Sequence, residues 1–446
     1  MKKVITYGTY DLLHYGHIRL LERAKELGDY LIVGVTSEDF DKKRGKINVK
    51  QSLMERVKAV KDTGLADEII IEEYEGQKID DICKYGIDIF TVGSDWKGKF
   101  DYLEEYCKVV YLPRTEGISS SDLRTEKRKI KLGLVGNNSV IEKMIKESNF
   151  VNGLEATEMF VDNPENMKNK FPDIKIADSY EDMIKNVDAV YLISHPKKHY
   201  EQIKKAILLH KNVLCESPIS LSVEDTRYLM KLAEENECVL METVKTAYAT
   251  AYSRLLLLLK SGAIGDIVSI DSTCTSLRII ENDESDNIDS LWNSICAWGP
   301  TALLPVFQML GTNYEKKSIV SKCFENDKKF DLFTKIDFIY NNAVASIKVG
   351  KGVKSEGDLV ITGTKGYVYV PAPWWKTDYF EIRYENQTEN KRYFYQLEGE
   401  GIRNELLVFT KSVEEKRNLT QINENITMAI GKVIEDFENK IDMTII

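Results

Sequence analysis

The sequence predicts an α/β protein: two successive parallel sheets wound with helices, then a third α/β region built on a mostly antiparallel open sheet. Three observations lead there. From residue 3 to about 126 short apolar runs alternate with helix-period segments, the alternation restarts at residue 130, and after about residue 248 strand-like runs follow one another directly. Strict alternation sets strands parallel, with helices crossing between them and ligands at the strands' carboxyl ends. Strands that meet strands pair mainly antiparallel.

In chain order, Val4–Tyr7, Tyr30–Val35, Glu68–Ile71, Ile87–Val92 and Val109–Leu112 read as strands, being short runs rich in β-branched and aromatic residues. Helical periodicity marks 17–27, 51–62, 77–85 and 119–127. The charged run Arg124-Thr125-Glu126-Lys127-Arg128-Lys129 interrupts the pattern and reads as a solvated helix end and linker. The second series has strands at Ile130–Val135, Glu158–Val161, Ala189–Ile193, Val213–Cys215 and Val239–Met241, with helices at 139–148, 179–186, 199–209 and 222–236. A long helix at 248–261 then leads into strands at 266–275, 333–340, 343–350, 358–362, 366–370 and 379–384, and helices at 402–415 and 422–439 close the chain. The expected domains are 1–128, 129–246 and 247–446, with no internal repeat.

A chain of 446 residues is too long for one ordinary core. Its net charge of −10 argues against a general nucleic-acid or membrane-surface role, although a local basic pocket for phosphates stays compatible. Seven scattered cysteines without a CxxC fit reduced thiols better than a disulfide framework or a zinc site. Too few apolar residues follow Met1-Lys2-Lys3 for a signal peptide, and the longest apolar run, Leu255–Leu259, is too short for a bilayer. The expectation is a cytoplasmic protein.

The first chemistry lies in Gly8-Thr9-Tyr10-Asp11-Leu12-Leu13-His14-Tyr15-Gly16-His17, directly after the opening strand. At a spacing of i, i+3, His14 and His17 share one face of a helical first turn. Free N–H groups and the helix dipole favour an anion there, and the glycines permit a tight turn and close approach. Displacement at phosphorus needs such donors for the charge that builds on the equatorial oxygens. The alternative is two surface histidines beside a turn. A second stretch, Arg114-Thr115-Glu116-Gly117-Ile118-Ser119-Ser120-Ser121, offers a guanidinium fork and capping hydroxyls for phosphate. Gly93-Ser94-Asp95-Trp96 ends the fourth strand at the same edge of the sheet.

Through these segments residues 1–126 resemble the glycerol-3-phosphate cytidylyltransferase family of the HxGH nucleotidyltransferase superfamily, with three serines where the family usually has Ser-Thr-Thr. The resemblance implies cytidylyl transfer from CTP, with Mg²⁺ on the triphosphate, to sn-glycerol 3-phosphate or a related polyol phosphate, giving CDP-glycerol and pyrophosphate. It implies catalytic roles for His14, His17, Lys46 and Arg114, and nucleotide binding by Thr9, Tyr10, Gly16, Asp95, Ser119 and Ser120. Arg56 and Lys78 match basic positions near the acceptor phosphate. The match loosens around 44–50, where Arg44 replaces a lysine and one residue is inserted. A CDP-glycerol product would point to cell-wall or capsule precursors.

The second series opens with an apolar strand, Gly136-Asn137-Asn138, and a helix, the position of a Rossmann phosphate loop without its full set of glycines. An ordinary strand–turn–helix is equally compatible. Asp162, ending the next strand, is placed to bind a ribose diol. Asp188–Pro196, Lys211–Pro218, Lys260–Ile267, Ile361–Gly366 and Gly401–Leu406 carry a resemblance to the Gfo/Idh/MocA oxidoreductase family across 130–446. That implies a Rossmann domain for NAD or NADP, lined by Gly136, Asn137, Asn138, Asp162, His195, Pro196, Glu216 and Pro218. It also implies a substrate domain whose open sheet often forms a dimer interface, and so a homo-oligomer.

The departures are chemical. The family's Glu-Lys-Pro is Glu216-Ser217-Pro218 here, and Pro305 and Met309 fall at or near its acid/base positions. No histidine follows His210, and neither serine, proline nor methionine supplies a proton near neutral pH. Lys245 or Tyr248, after the neighbouring strand, could substitute. His195 and His199 match segments on the nicotinamide side, or else serve as hydrogen-bonding loop residues. Two readings follow: a bifunctional enzyme whose second half is an NAD-linked polyol or hydroxyketone oxidoreductase, or a cytidylyltransferase carrying a non-catalytic binding or oligomerisation scaffold.

Overall fold

Runs of valine, isoleucine and tyrosine build the first five strands of the computed structural model: β1 Lys3–Gly8, β2 Tyr30–Thr36, β3 Glu68–Glu72, β4 Ile89–Gly93 and β5 Lys108–Leu112. Helices α1 Tyr15–Glu26, α2 Glu38–Lys43, α3 Leu53–Asp62 and α4 Gln77–Tyr85 connect them. Ser52 starts α3 through a capping box: its hydroxyl accepts from the Glu55 N–H while Glu55 accepts from the Ser52 N–H. The sheet order is β3-β2-β1-β4-β5, all parallel. Alternate strand residues feed opposite cores, Val4, Leu31 and Val33 on one face and Ile5, Ile32 and Phe90 on the other. The order reverses between β1 and β4, where such sheets take ligands.

The structure describes every residue except His14, 44–48, Lys50, Glu75, 114–128, Asn137, 162–163, 278–290, 325–326, Gln396 and Glu398. The expected helix at 119–127 therefore lies outside the described residues. The chain divides into two units, Met1–Lys129 and Ile130–Ile446.

The larger unit begins with β6 Ile130–Gly136, β7 Leu154–Val161, β8 Lys175–Ile176, β9 Ala189–Ile193, β10 Asn212–Glu216 and β11 Leu240–Thr243. Between them run α5 Asn138–Ser148, α6 Pro164–Lys170, α7 Tyr180–Asn186, α8 Pro196–Leu208 and α9 Val223–Glu235. This second parallel sheet has the order β11-β10-β9-β6-β7-β8, with its reversal between β6 and β9.

After α10 Thr250–Lys260 come β12 Ile267–Thr275, α11 Ser294–Leu310, β13 Lys316–Phe324, β14 Asp327–Ile339, β15 Val344–Gly350, β16 Leu359–Gly363, β17 Tyr367–Val370, β18 Tyr379–Arg383 and β19 Lys391–Phe394. Two helices, α12 Ile402–Glu415 and α13 Glu424–Glu438, precede β20 Met443–Ile445. The sheet order is β19-β18-β17-β16-β12-β15-β14-β13-β20. It is mixed and mostly antiparallel, with parallel pairs at β12–β15 and β13–β20. The sequence reading missed the strands β8, β13, β19 and β20 and the helices α2, α6 and α11. Pro300 and Pro305 argue against a helix, yet both are buried within α11 beside Leu303, Leu304 and Phe307. Packing of an all-round apolar helix outweighs the two lost backbone bonds. No helix among the described residues is long and apolar enough to cross a membrane.

Candidate active site

The turn after β1 is held from below by one buried carboxylate. Asp41 Oδ1 accepts from the hydroxyls of Thr9 at 3.0 Å and Thr36 at 2.7 Å, and its Oδ2 pairs with Arg56 Nη1 at 3.1 Å. Arg56 Nη1 also donates to the carbonyls of Thr9 and Thr36, at 2.8 and 2.9 Å, and its Nε donates to that of Gln51. Both charged side chains are almost wholly buried. Arg56 Nη2 is buried and has no hydrogen-bond partner among the described residues. Gln51 ties the turn from the other side, accepting from the Leu12 N–H while donating its own N–H to Asp11.

Tyr10, at φ 53°, is buried in the core, and its ring meets that of His17 edge-on with centroids 5.5 Å apart. It seats the histidine at the start of α1. Lys78, on α4, pairs with the buried Glu72, and its ammonium lies over the Tyr7 ring at 4.7 Å. The Tyr7 hydroxyl donates to Asp81, and burial raises its pKa. Asp95 is exposed in the turn Ser94–Trp96, directly after β4. The carboxyl edge near the β1/β4 reversal thus gathers Thr9, Tyr10, Gly16, His17 and Asp95, with Arg56 and Lys78 in flanking buried networks. His14, Lys46, Arg114, Ser119 and Ser120 lie outside the described residues. Asp41 was missed from sequence because an aspartate in the polar run 38–43 carries no motif.

In the larger unit Gly136 ends β6 at φ +115°, and a Cβ there would sit 2.5 Å from the Ile193 carbonyl carbon. Only glycine fits this approach of β6 to the end of β9, which leaves bare backbone at the reversal point. This turn suits the pyrophosphate of a dinucleotide. Asn137 and Asp162 lie outside the described residues, as does the Asn138 side chain. His195 caps α8, accepting from the Lys197 N–H, and its Nε2 is 3.1 Å from the Leu291 carbonyl oxygen. His199 is fully buried, its ring nitrogens 2.9 and 2.8 Å from the carbonyl oxygens of Pro218 and Ser194. Burial lowers its pKa to about 4. Both histidines make structural contacts, and Pro196 opens the helix between them.

Ser217, directly after β10, donates its hydroxyl to the buried Glu242 at 2.5 Å. Tyr191 donates to Glu216 at 2.5 Å. Glu405 is completely buried; burial and then the neighbouring Glu216 raise its pKa well above the carboxylate range, against the Thr243 side chain and Lys245, which lower it. Tyr248 is buried too, sharing a hydrogen bond of 2.8 Å with Thr420, and burial raises its pKa. Lys245 is half-buried and pairs with Glu400. Of the two substitutes weighed from sequence, only Lys245 reaches solvent. Pro305 is enclosed within α11. Among the described residues no three His, Cys, Asp or Glu side chains come together to hold a metal ion.

Residues 5–126 match the cytidylyltransferase-like family model, and residues 130–244 match that of the oxidoreductase family with the NAD-binding Rossmann fold. The glycerol-3-phosphate cytidylyltransferase of Bacillus spizizenii is 53% identical over 126 residues, 28% of this chain and 97% of the relative. That of Staphylococcus aureus is 48% identical over 131 residues, 28% of this chain and 95% of the relative. The crystal structure of KijD10, a 3-ketoreductase from Actinomadura kijaniata in complex with NADP and TDP-benzene, superposes with a TM-score of 0.64. It covers 72% of this chain and 99% of that one at 15% identity, a likeness of fold. The chain therefore belongs to the cytidylyltransferase-like family: it is a nucleotidyltransferase whose C-terminal part carries a domain of the NAD-binding Rossmann oxidoreductase family.

Proposed function

We propose that the smaller unit transfers a cytidylyl group from CTP to sn-glycerol 3-phosphate or a closely related polyol phosphate. The observation that carries this reading is identity above half across nearly the whole length of a relative of that activity. An acceptor phosphate oxygen attacks the α-phosphorus in line; that P–O bond forms as the bond to the bridging oxygen breaks, and pyrophosphate leaves. His14, His17, Lys46 and Arg114 donate to the oxygens that gain charge. Thr9, Tyr10, Gly16, Asp95, Ser119 and Ser120 place the nucleotide, Tyr10 through its backbone and by seating His17. Arg56, through its unpartnered Nη2, and Lys78 face the acceptor phosphate. Mg²⁺, if bound on the triphosphate, would neutralise part of its charge. His17→Ala should slow pyrophosphate release by about 10²–10³ with an unchanged circular dichroism spectrum; an unchanged rate removes the role.

For the larger unit we propose an NAD(P)-type dinucleotide site at the Gly136 turn with redox chemistry altered from its relatives. The commitment of Ser217 to Glu242 favours that alteration, since no lysine remains there to polarise a reacting oxygen. Bound dinucleotide would supply a hydride donor or acceptor, while Glu216 and Pro218 shape the crevice. Titration with NADH followed by nicotinamide fluorescence tests the site, and absence of binding leaves the scaffold reading. Assembly into a homo-oligomer is proposed with it, and light scattering measures the mass.

A further inference from the structure

Three lysines from three elements of the larger unit converge on one glutamate. Lys143, in α5, lies 3.2 and 3.1 Å from the two carboxylate oxygens of Glu400. Lys376, ending the turn Trp374–Lys376, lies 3.0 Å from one oxygen, and Lys245, in the turn Lys245–Tyr248 after β11, pairs with the other. Among the described residues none of the three has a second carboxylate within ion-pair distance. Glu216 and Glu405 act on Lys245 at longer range. One carboxylate therefore faces three ammonium groups, and the crowding shows: burial, then Lys245 and Lys376, lower the pKa of Lys143. The lysines hold Glu400 down at about 2 despite its partial burial.

The backbone is shaped to hold this arrangement. Glu400 sits at φ 52° between Gly399 and Gly401, both at positive φ. A Cβ on Gly401 would strike the Lys245 carbonyl, and one on Gly399 would strike Glu147 of α5. The Glu400 turn is thus wedged between α5 and the Lys245 turn. All four charged side chains keep between 24% and 46% of their surface exposed, so the cluster is open to solutes. It stands near the carboxyl end of β11, and α5 is the helix that follows the Gly136 turn. That is the side on which a doubly wound sheet takes its ligands.

We propose that Lys143, Lys245 and Lys376 bind the phosphate of a phosphorylated small molecule of the polyol phosphate class, and that Glu400 is a resident anion which this phosphate displaces. The proposal rests on reading 130–446 as a ligand-binding crevice. A phosphomonoester brings nearly two charges and three acceptor oxygens where Glu400 brings one charge, matching the lysine surplus. Lysine suits the task as a compact point charge. Both units would then handle one chemical class.

The test is trace acetylation of the full chain with acetic anhydride, read lysine by lysine by mass spectrometry, with sn-glycerol 3-phosphate or glycerol present. Glycerol 3-phosphate should protect Lys143, Lys245 and Lys376 severalfold, glycerol should not, and the exposed Lys185 and Lys231 should label equally throughout. Lys143→Met combined with Lys376→Met should raise the concentration that half-protects Lys245 by about tenfold, and Glu400→Gln should lower it. Equal labelling with and without glycerol 3-phosphate, or protection undiminished in the double variant, overturns the proposal. Because the three reporters all lie in the larger unit, binding to the smaller one does not interfere. NADH fluorescence on the same protein reports separately on the dinucleotide reading.

Discussion

Removing the Asp41 carboxylate takes from Thr9, Thr36 and Arg56 the acceptor they share. Asp41→Asn should destabilise the smaller unit by about 3–5 kcal/mol, since an arginine then stays buried without its counter-charge; a shift in the urea midpoint measures it. An intact midpoint would mean that Arg56 finds another acceptor. His199 makes a pH-dependent prediction. Burial lowers its pKa from 6.5 to about 4, so the unfolded chain takes up the proton first. Its effect on stability is nil above pH 6.5 and grows as pH falls, reaching about 3 kcal/mol near pH 4. Denaturant titrations of the larger unit should show that loss, and His199→Gln should flatten it. The sequence offered His199 as a hydrogen-bonding residue in one of two readings, and it did not single out Asp41. Asp41 sits in no motif, and the surroundings of His199 come from Ser194 and Pro218, brought together only by folding.

Among elements, the Gly136 turn is sensitive to a single added atom. Gly136→Ala sets a Cβ against the Ile193 carbonyl at a positive φ, and should destabilise the larger unit by more than about 1 kcal/mol while abolishing NADH binding. Wild-type affinity in that variant would show that the dinucleotide lies elsewhere. Parallel strands and their crossing helices were legible because hydrophobic period reports burial directly. Helix α11 was hidden by Pro300 and Pro305, whose cost is local while the gain from burying the helix is not. Strand β20 was hidden for a related reason. Its three residues, Met443–Ile445, pair with β13, which lies more than a hundred residues earlier.

For the whole molecule, two units with separate cores predict two calorimetric transitions. CTP with Mg²⁺ should raise one of them and NADH the other, because each ligand stabilises only the fold that binds it. A single transition shifted equally by both ligands would show that the units unfold together. By itself the sequence determined the two parallel α/β regions, the mostly antiparallel third, and the nucleotidyltransferase family. Those properties rest on period and on motifs continuous in the chain, such as His14-Tyr15-Gly16-His17. Tertiary structure decided what each side chain near the sites has for a partner. It gave Ser217 to Glu242, closed Tyr248 away with Thr420, and set three lysines on Glu400. Charge and burial act through space, and the groups that meet at Glu400 are spread from residue 143 to residue 400.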